Sequence, residues 1–133
     1  MWKEIGVSLL FISALLTGCG NEHQAHDDMD MSMNASDMIK VELHVPDNIQ
    51  VNQQTAFTAH VSQDNKDVID ADKVEFEWWI EGGDHQKAEV KHTSNGEYVL
   101  EQQFEEAGQY TIISHVTVGA MHSMPKKEFE VKP

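Results

Sequence analysis

A short segment near the carboxyl end of the chain gathers side chains that bind soft metal ions. Its four donors are His115, Met121, His122 and Met124. Thioether sulfur is a soft ligand and imidazole a borderline one, so the set suits copper, and Cu(I) in particular. Gly119 and Pro125 bracket residues 121–124 and predict a loop. The alternative is that the two methionines are apolar plugs that close the end of a β-domain.

A second group of the same donors lies in segment 19–38. The large apolar side chains of this segment are all methionines, so it cannot bury enough surface to fold, and we expect a disordered tether. Its donors are His23, His26, Met29, Met31 and Met33, with Met38 at the border of the domain. A short His-rich tract is typical of metal binding, which predicts a weaker, mobile copper-collecting segment. The alternative is a plain polar spacer.

Residues 1–18 have the layout of an export signal. An apolar run over residues 5–16 is too short to span a bilayer, and it ends at Leu16-Thr17-Gly18-Cys19. This end resembles the lipobox of bacterial lipoproteins, which implies cleavage before Cys19 and attachment of a lipid to its sulfur. The alternative is an ordinary secretory cleavage site. We expect a chain anchored to the extracytoplasmic face of the cell membrane.

Cysteine content and net charge narrow the possible functions. Cys19 is the one cysteine, so no intramolecular disulfide forms, and a lipidated sulfur is neither nucleophile nor metal ligand. The net charge is −14, from 23 acidic residues against 9 lysines. Such a chain is repelled by nucleic acid and by anionic lipid, so we expect neither as a partner of the acidic domain.

The sequence offers no pattern typical of an enzyme. It contains no Ser-His-Asp arrangement in a usable context, no paired acids in a recognisable loop and no glycine-rich phosphate loop after a strand. Zinc prefers His, Cys or carboxylate ligands, and thioethers add little to its binding. We therefore predict a protein that is not an enzyme.

From residue 39 to residue 133, apolar and polar residues alternate with a period of two, which predicts strands throughout. The strongest apolar face is Val74, Phe76, Trp78 and Ile80. About seven such strands, separated by turn signals such as Asn95-Gly96, predict an all-β fold, an immunoglobulin-like antiparallel β-sandwich. Segment 105–110 resembles the tyrosine corner of such sandwiches. A small closed barrel is the alternative.

Strand alternation also places the histidines. His115 faces away from the core and lies about 10 Å along its strand from Val118, so it joins the other donors only if segment 121–124 folds back over that face. His85 and His92 flank a neighbouring hairpin and are further candidate ligands. Trp79 faces outward, where it is placed to shield a bound ion from water or to form an interface.

Four segments of the domain resemble the YtkA-like, or FixH-type, lipoproteins of Gram-positive bacteria. They are residues 70–79, 95–98, 108–110 and 115–118 with 121–127. The resemblance extends over about residues 40–132. It implies a single sandwich domain and a role in delivering copper for the assembly of cytochrome oxidase. It also implies histidines near positions 85 and 92.

The sequence thus predicts a membrane-anchored, extracytoplasmic copper-binding protein that favours Cu(I). The resemblance implies a copper chaperone whose recipient is a respiratory oxidase subunit or its thiol-bearing assembly factor. Two alternatives remain. Copper resistance or storage would use the same residues, whereas a non-catalytic structural or interaction lipoprotein would use none of them.

Overall fold

Alternation of buried and exposed side chains continues through almost every strand of residues 38–133, the part of the chain that the computed structural model describes. The expected signal peptide at residues 1–18, the lipidation site Cys19 and the tether donors between His23 and Met33 lie outside the described residues. The expectations about them stay predictions. Within residues 38–133, no helix is long and apolar enough to cross a membrane.

The described residues form eleven strands. Their bounds are β1 Ile39–His44, β2 Ile49–Gln50, β3 Thr55–Gln63, β4 Lys66–Asp67, β5 Lys73–Ile80, β6 Gln86–Val90, β7 His92–Ser94, β8 Glu97–Gln102, β9 Gly108–Val118, β10 Met121–Ser123 and β11 Lys126–Lys132. Seven of them have five residues or more and correspond to the seven strands that the alternation predicts. The other four have two or three residues, too few to show a period in the sequence.

The strands form two sheets. The first sheet has the order β1-β3-β8-β7, with β4 added to β3, and the second has the order β2-β11-β9-β5-β6, with β10 added to β9. Two separate sheets make this a β-sandwich, so the predicted fold class is confirmed and the closed barrel is not formed. The pairing is antiparallel except between β2 and β11, which run parallel.

Large apolar side chains between the sheets form the core. Phe57 of the first sheet and Phe76 and Ile112 of the second are fully buried. Phe57 also packs edge-on against Phe104, with ring centroids 5.9 Å apart. Trp78 is buried as the alternation predicts, and this fixes the residues between the core positions on the outer face of the second sheet.

The predicted tyrosine corner is present at the start of β9. The Tyr110 hydroxyl donates a hydrogen bond of 2.7 Å to the carbonyl oxygen of Glu106, four residues earlier. Burial raises the pKa of the Tyr110 phenol, and the nearby Glu106 carboxylate raises it further. This bond stabilises the segment that leads into β9, the strand that contains His115.

Candidate metal site on the outer face of the second sheet

The segment predicted as a loop is a strand. Gly119 and Ala120 form a two-residue turn, and β10 then pairs with β9 through Met121 with Val118 and His122 with Thr117. Gly119 has a φ of 58°, as a hairpin turn with glycine in its first position requires. The loop prediction was wrong because the polar character of 121–124 says little about backbone pairing at a sheet edge.

This hairpin brings His122 onto the outer face beside His115. The two ring centroids are 5.9 Å apart, and the rings are tilted by 36°. The Nδ1 atom of His122 lies 3.1 Å from the Oγ1 atom of Thr117. The folding back that His115 needed in order to join the other donors therefore occurs, through strand pairing.

The backbone register also places Met124 next to His115. Ser123 pairs with Val116 and Lys126 pairs with Ile113, so Met124 stands opposite His115 in an unbroken register. The Ser114 amide donates a hydrogen bond to the Pro125 carbonyl oxygen at 3.1 Å, which supports that register.

Directly opposite residues of antiparallel strands have Cβ atoms about 4.5–5.5 Å apart. Met124 is 51% exposed, and strand alternation places it on the same outer face as His115 and His122. We call His115, His122 and Met124 the outer-face cluster.

Met121 lies on the other side of the hairpin. It is one residue from His122, and successive side chains of a strand point to opposite faces. Its sulfur accepts a hydrogen bond from the Gln63 amide nitrogen at 3.9 Å, across the end of the sandwich. The structure therefore does not bring Met121 together with His122 and Met124 as a curled loop would.

Glu77 of β5 adjoins the cluster and was not predicted. Its carboxylate accepts a hydrogen bond from His115 Nε2 at 2.8 Å and one from His85 Nδ1 at 2.7 Å, and its side chain is 13% exposed. The bonds from His85 and then His115 lower the pKa of Glu77, so the group is ionised at neutral pH. Alternation places Glu77 on the outer face, but its two partners depend on a register that the sequence does not show.

His85 is joined to the cluster through Glu77. Its ring is stacked on Trp79, with centroids 3.9 Å apart and planes 4° from parallel. Trp79 faces outward as predicted, and its contact is with His85. Of the two histidines predicted to flank a hairpin, His85 is thus the one near the cluster.

His92 lies on the other sheet. The chain leaves β6 at Val90 and enters β7 of the first sheet at His92. The His92 Nε2 atom accepts a hydrogen bond from the Gly96 amide at 3.1 Å, and its ring meets Tyr98 edge-on. His92 thus lies in β7, where it is hydrogen-bonded to the turn before β8, and the structure does not bring it to the outer-face cluster.

Within the described residues, no group of three or more His, Cys, Asp or Glu side chains is placed to hold a metal ion. A site at the two imidazoles of His115 and His122 therefore depends on the thioether of Met124 as its third donor. Two imidazoles and one thioether form a soft to borderline set, which fits Cu(I) better than zinc or magnesium.

The fold and the cluster together define a β-sandwich domain with a His/Met patch on one outer face. The family model of the YtkA-like proteins matches residues 33–115, more than half of the chain. The chain belongs to the YtkA-like family. The matched residues include Glu77 and His115 and end before β10. No curated protein matches the chain.

Several solved structures are similar to this chain at low sequence identity. An engineered protein is 15% identical with a TM-score of 0.55, over 71% of this chain and 20% of that one, so this chain spans about a fifth of its length. A superoxide reductase (neelaredoxin) variant from Ignicoccus hospitalis is 15% identical with a TM-score of 0.48. The match covers 76% of this chain and 85% of the reductase.

A CARDB domain from Pyrococcus furiosus, solved in complex with di-metal ions, is 15% identical with a TM-score of 0.44. The match covers 71% of this chain and 92% of that domain. These likenesses concern the fold alone.

Proposed function

We propose that this chain is a membrane-anchored, extracytoplasmic copper protein that holds Cu(I) at the outer-face cluster and passes it to a protein partner. The observation that supports this most is the placement of His115 and His122, with ring centroids 5.9 Å apart and Met124 opposite His115. Strand pairing gathers two imidazoles and one thioether on one face, the donor types that suit Cu(I).

Exposure of the cluster favours transfer of the ion. His122 is exposed and Met124 is 51% exposed, whereas the His115 side chain is 21% exposed. An incoming pair of thiolates can approach from the open side and replace the thioether and imidazole donors, because thiolate is the softer ligand. The proposed recipient is an oxidase subunit or its thiol-bearing assembly factor, in accordance with the family resemblance.

The amino-terminal segment completes the proposal. A lipid on Cys19 would confine the search for a recipient to the membrane surface. The histidines and methionines between residues 23 and 33 would collect copper more weakly than the cluster and concentrate it near the domain. The net charge of −14 would favour cations around the protein in general.

The test is a Cu(I) titration of the full-length chain in detergent against a chromophoric chelator. In a tail-silent variant, serine replaces each of His23, His26, Met29, Met31 and Met33. We expect this variant to bind one Cu(I), and to lose it when His115→Ala, His122→Ala and Met124→Ala are added. A matched control adds Met38→Ala and His44→Ala, which remove an exposed Met and an exposed His elsewhere. Failure of the tail-silent chain to compete for Cu(I) would leave a structural module.

Deletion of the gene for this protein in its native cell distinguishes copper delivery from copper resistance. Loss of oxidase assembly that added copper restores would support delivery. Sensitivity to added copper with normal oxidase assembly would instead support storage or resistance.

A further inference from the structure

The Glu77 carboxylate lies between two imidazoles on the outer face. Each of its oxygens accepts one hydrogen bond, from His115 Nε2 at 2.8 Å and from His85 Nδ1 at 2.7 Å. An ionised carboxylate has no proton to donate, so both ring nitrogens must carry hydrogen. In the neutral imidazole of His115 the lone pair then lies on Nδ1.

We propose that Glu77 is the positioning residue of the copper site: it orients His115 with Nδ1 free for the ion, and its charge sets how strongly the site prefers one oxidation state of copper. This inference rests on the proposed function. Metal-binding histidines commonly donate their other ring N–H to a carboxylate, which fixes the tautomer and increases the basicity of the ligand.

His85 and Trp79 hold Glu77 in this position. The second oxygen of Glu77 is engaged by His85, whose ring is stacked on Trp79 at 3.9 Å. With both oxygens bonded to N–H groups, Glu77 acts through His115 and does not need to contact the ion.

The effect of Glu77 differs between the two oxidation states. Attraction between the carboxylate and the ion grows with the charge of the ion, so the carboxylate stabilises Cu(II) more than Cu(I). A more basic imidazole acts in the same direction. The thioether of Met124 favours Cu(I). Glu77 therefore weakens the preference for Cu(I) over Cu(II) that the donors alone would give the site.

The test compares Glu77→Gln with Glu75→Gln in the full-length tail-silent chain. Glu75 is the matched control: it lies on the same strand and face, directly opposite His115, yet its carboxylate contacts Lys73 at 3.4 Å. For each chain, Cu(II) affinity is measured by competition with nitrilotriacetate, and Cu(I) affinity with a chromophoric chelator.

We expect Glu77→Gln to weaken Cu(II) binding by about 10- to 100-fold, the usual effect of removing a carboxylate behind a ligand. Cu(I) binding should weaken less, so the reduction potential of the bound copper should rise. Glu75→Gln should change both affinities much less. Equal effects of the two substitutions on both ions would overturn the inference.

Two further measurements separate the possible failures. If the tail-silent chain with native Glu77 binds neither ion, the proposed function fails. If it binds copper, and the Glu77→Gln variant binds Cu(I) and Cu(II) as tightly as the chain with native Glu77, the positioning role alone fails. Should Glu77→Gln lower the unfolding temperature markedly, His85→Ala replaces it as the test variant, with a smaller loss of Cu(II) affinity expected. Unchanged affinity in His85→Ala would then contradict the positioning role.

Discussion

Glu77 is hydrogen-bonded to His115 at 2.8 Å although it is not the residue opposite His115 in the sheet. That place belongs to Glu75, whose carboxylate turns toward Lys73. Glu77 is the diagonal neighbour, and long side chains reach such neighbours across antiparallel strands. Of these two carboxylates on one strand, Glu77 is the one that is hydrogen-bonded to His115.

The opposite faces of β10 give a first prediction. We expect His122→Ala to abolish tight Cu(I) binding, whereas Met121→Ala should leave the affinity almost unchanged. Met121 is half-buried, and Met121→Ala should lower the free energy of unfolding by about 1–2 kcal/mol. This loss is at or below the smallest losses found when a fully buried methionine is replaced by alanine. Chelator competition and chemical denaturation on the same two variants check both parts. Equal loss of Cu(I) in the two variants would show that β10 rearranges around the ion.

The buried hydroxyl of Ser114 gives a second prediction. This side chain is fully buried opposite Phe76, and its Oγ atom has no hydrogen-bond partner among the described residues. Leaving a polar group unpaired in the core costs about 1–3 kcal/mol, so Ser114→Ala should raise the free energy of unfolding by about 1 kcal/mol.

The control for Ser114 is the buried hydroxyl of Thr55, which donates to the Gln53 carbonyl oxygen at 3.3 Å. Thr55→Ala removes a satisfied group and should lower the free energy of unfolding. Urea denaturation measures both variants, and a loss of stability in Ser114→Ala would mean that its hydroxyl is satisfied in solution.

Two turn glycines give a third prediction. Gly96 has a φ of 73°, and a Cβ atom there would come within 2.8 Å of the Val61 carbonyl oxygen. Gly119 has a φ of 58°, and a Cβ atom there would meet nothing within 4 Å. A left-handed conformation costs a non-glycine residue about 1–2 kcal/mol.

We therefore expect Gly119→Ala to lower stability by about that amount and Gly96→Ala to lower it clearly more, because only the latter adds a steric clash. Thermal unfolding distinguishes them. Equal losses would show that the backbone around Val61 moves aside at little cost.

His60 gives a prediction about pH. The pKa of His60 is raised above its ordinary value of 6.5, mainly by its hydrogen bond to Asp67 at 2.9 Å and further by Glu42. A raised pKa in the folded state means that this contact stabilises the protein fully below pH 6.5 and is lost as the pH rises through the folded value.

The difference in unfolding free energy between the native chain and His60→Gln should thus be largest under mildly acidic conditions and shrink above neutrality. Asp67→Asn removes the main cause and should flatten that dependence. A difference that grows with pH would contradict this assignment.

Much of the fold followed from the sequence because each long strand repeats its apolar residues every second position. Trp78 was assigned to the core and Trp79 to the outer face on that basis, and the structure agrees. The hairpin at Gly119 was missed although a glycine followed by one further residue is a known two-residue turn signal. The polar segment after it had been interpreted as a loop.

The sequence by itself determined the donor types, the family and the side of each strand that faces the core. Only the tertiary structure decided which donors meet. His115 and Glu77 are 38 residues apart and His92 lies between them in the chain, yet the sheets bring the first two together and place His92 on the opposite sheet. The physical reason is that alternation fixes the face of a side chain locally, whereas its neighbours depend on backbone register between distant strands.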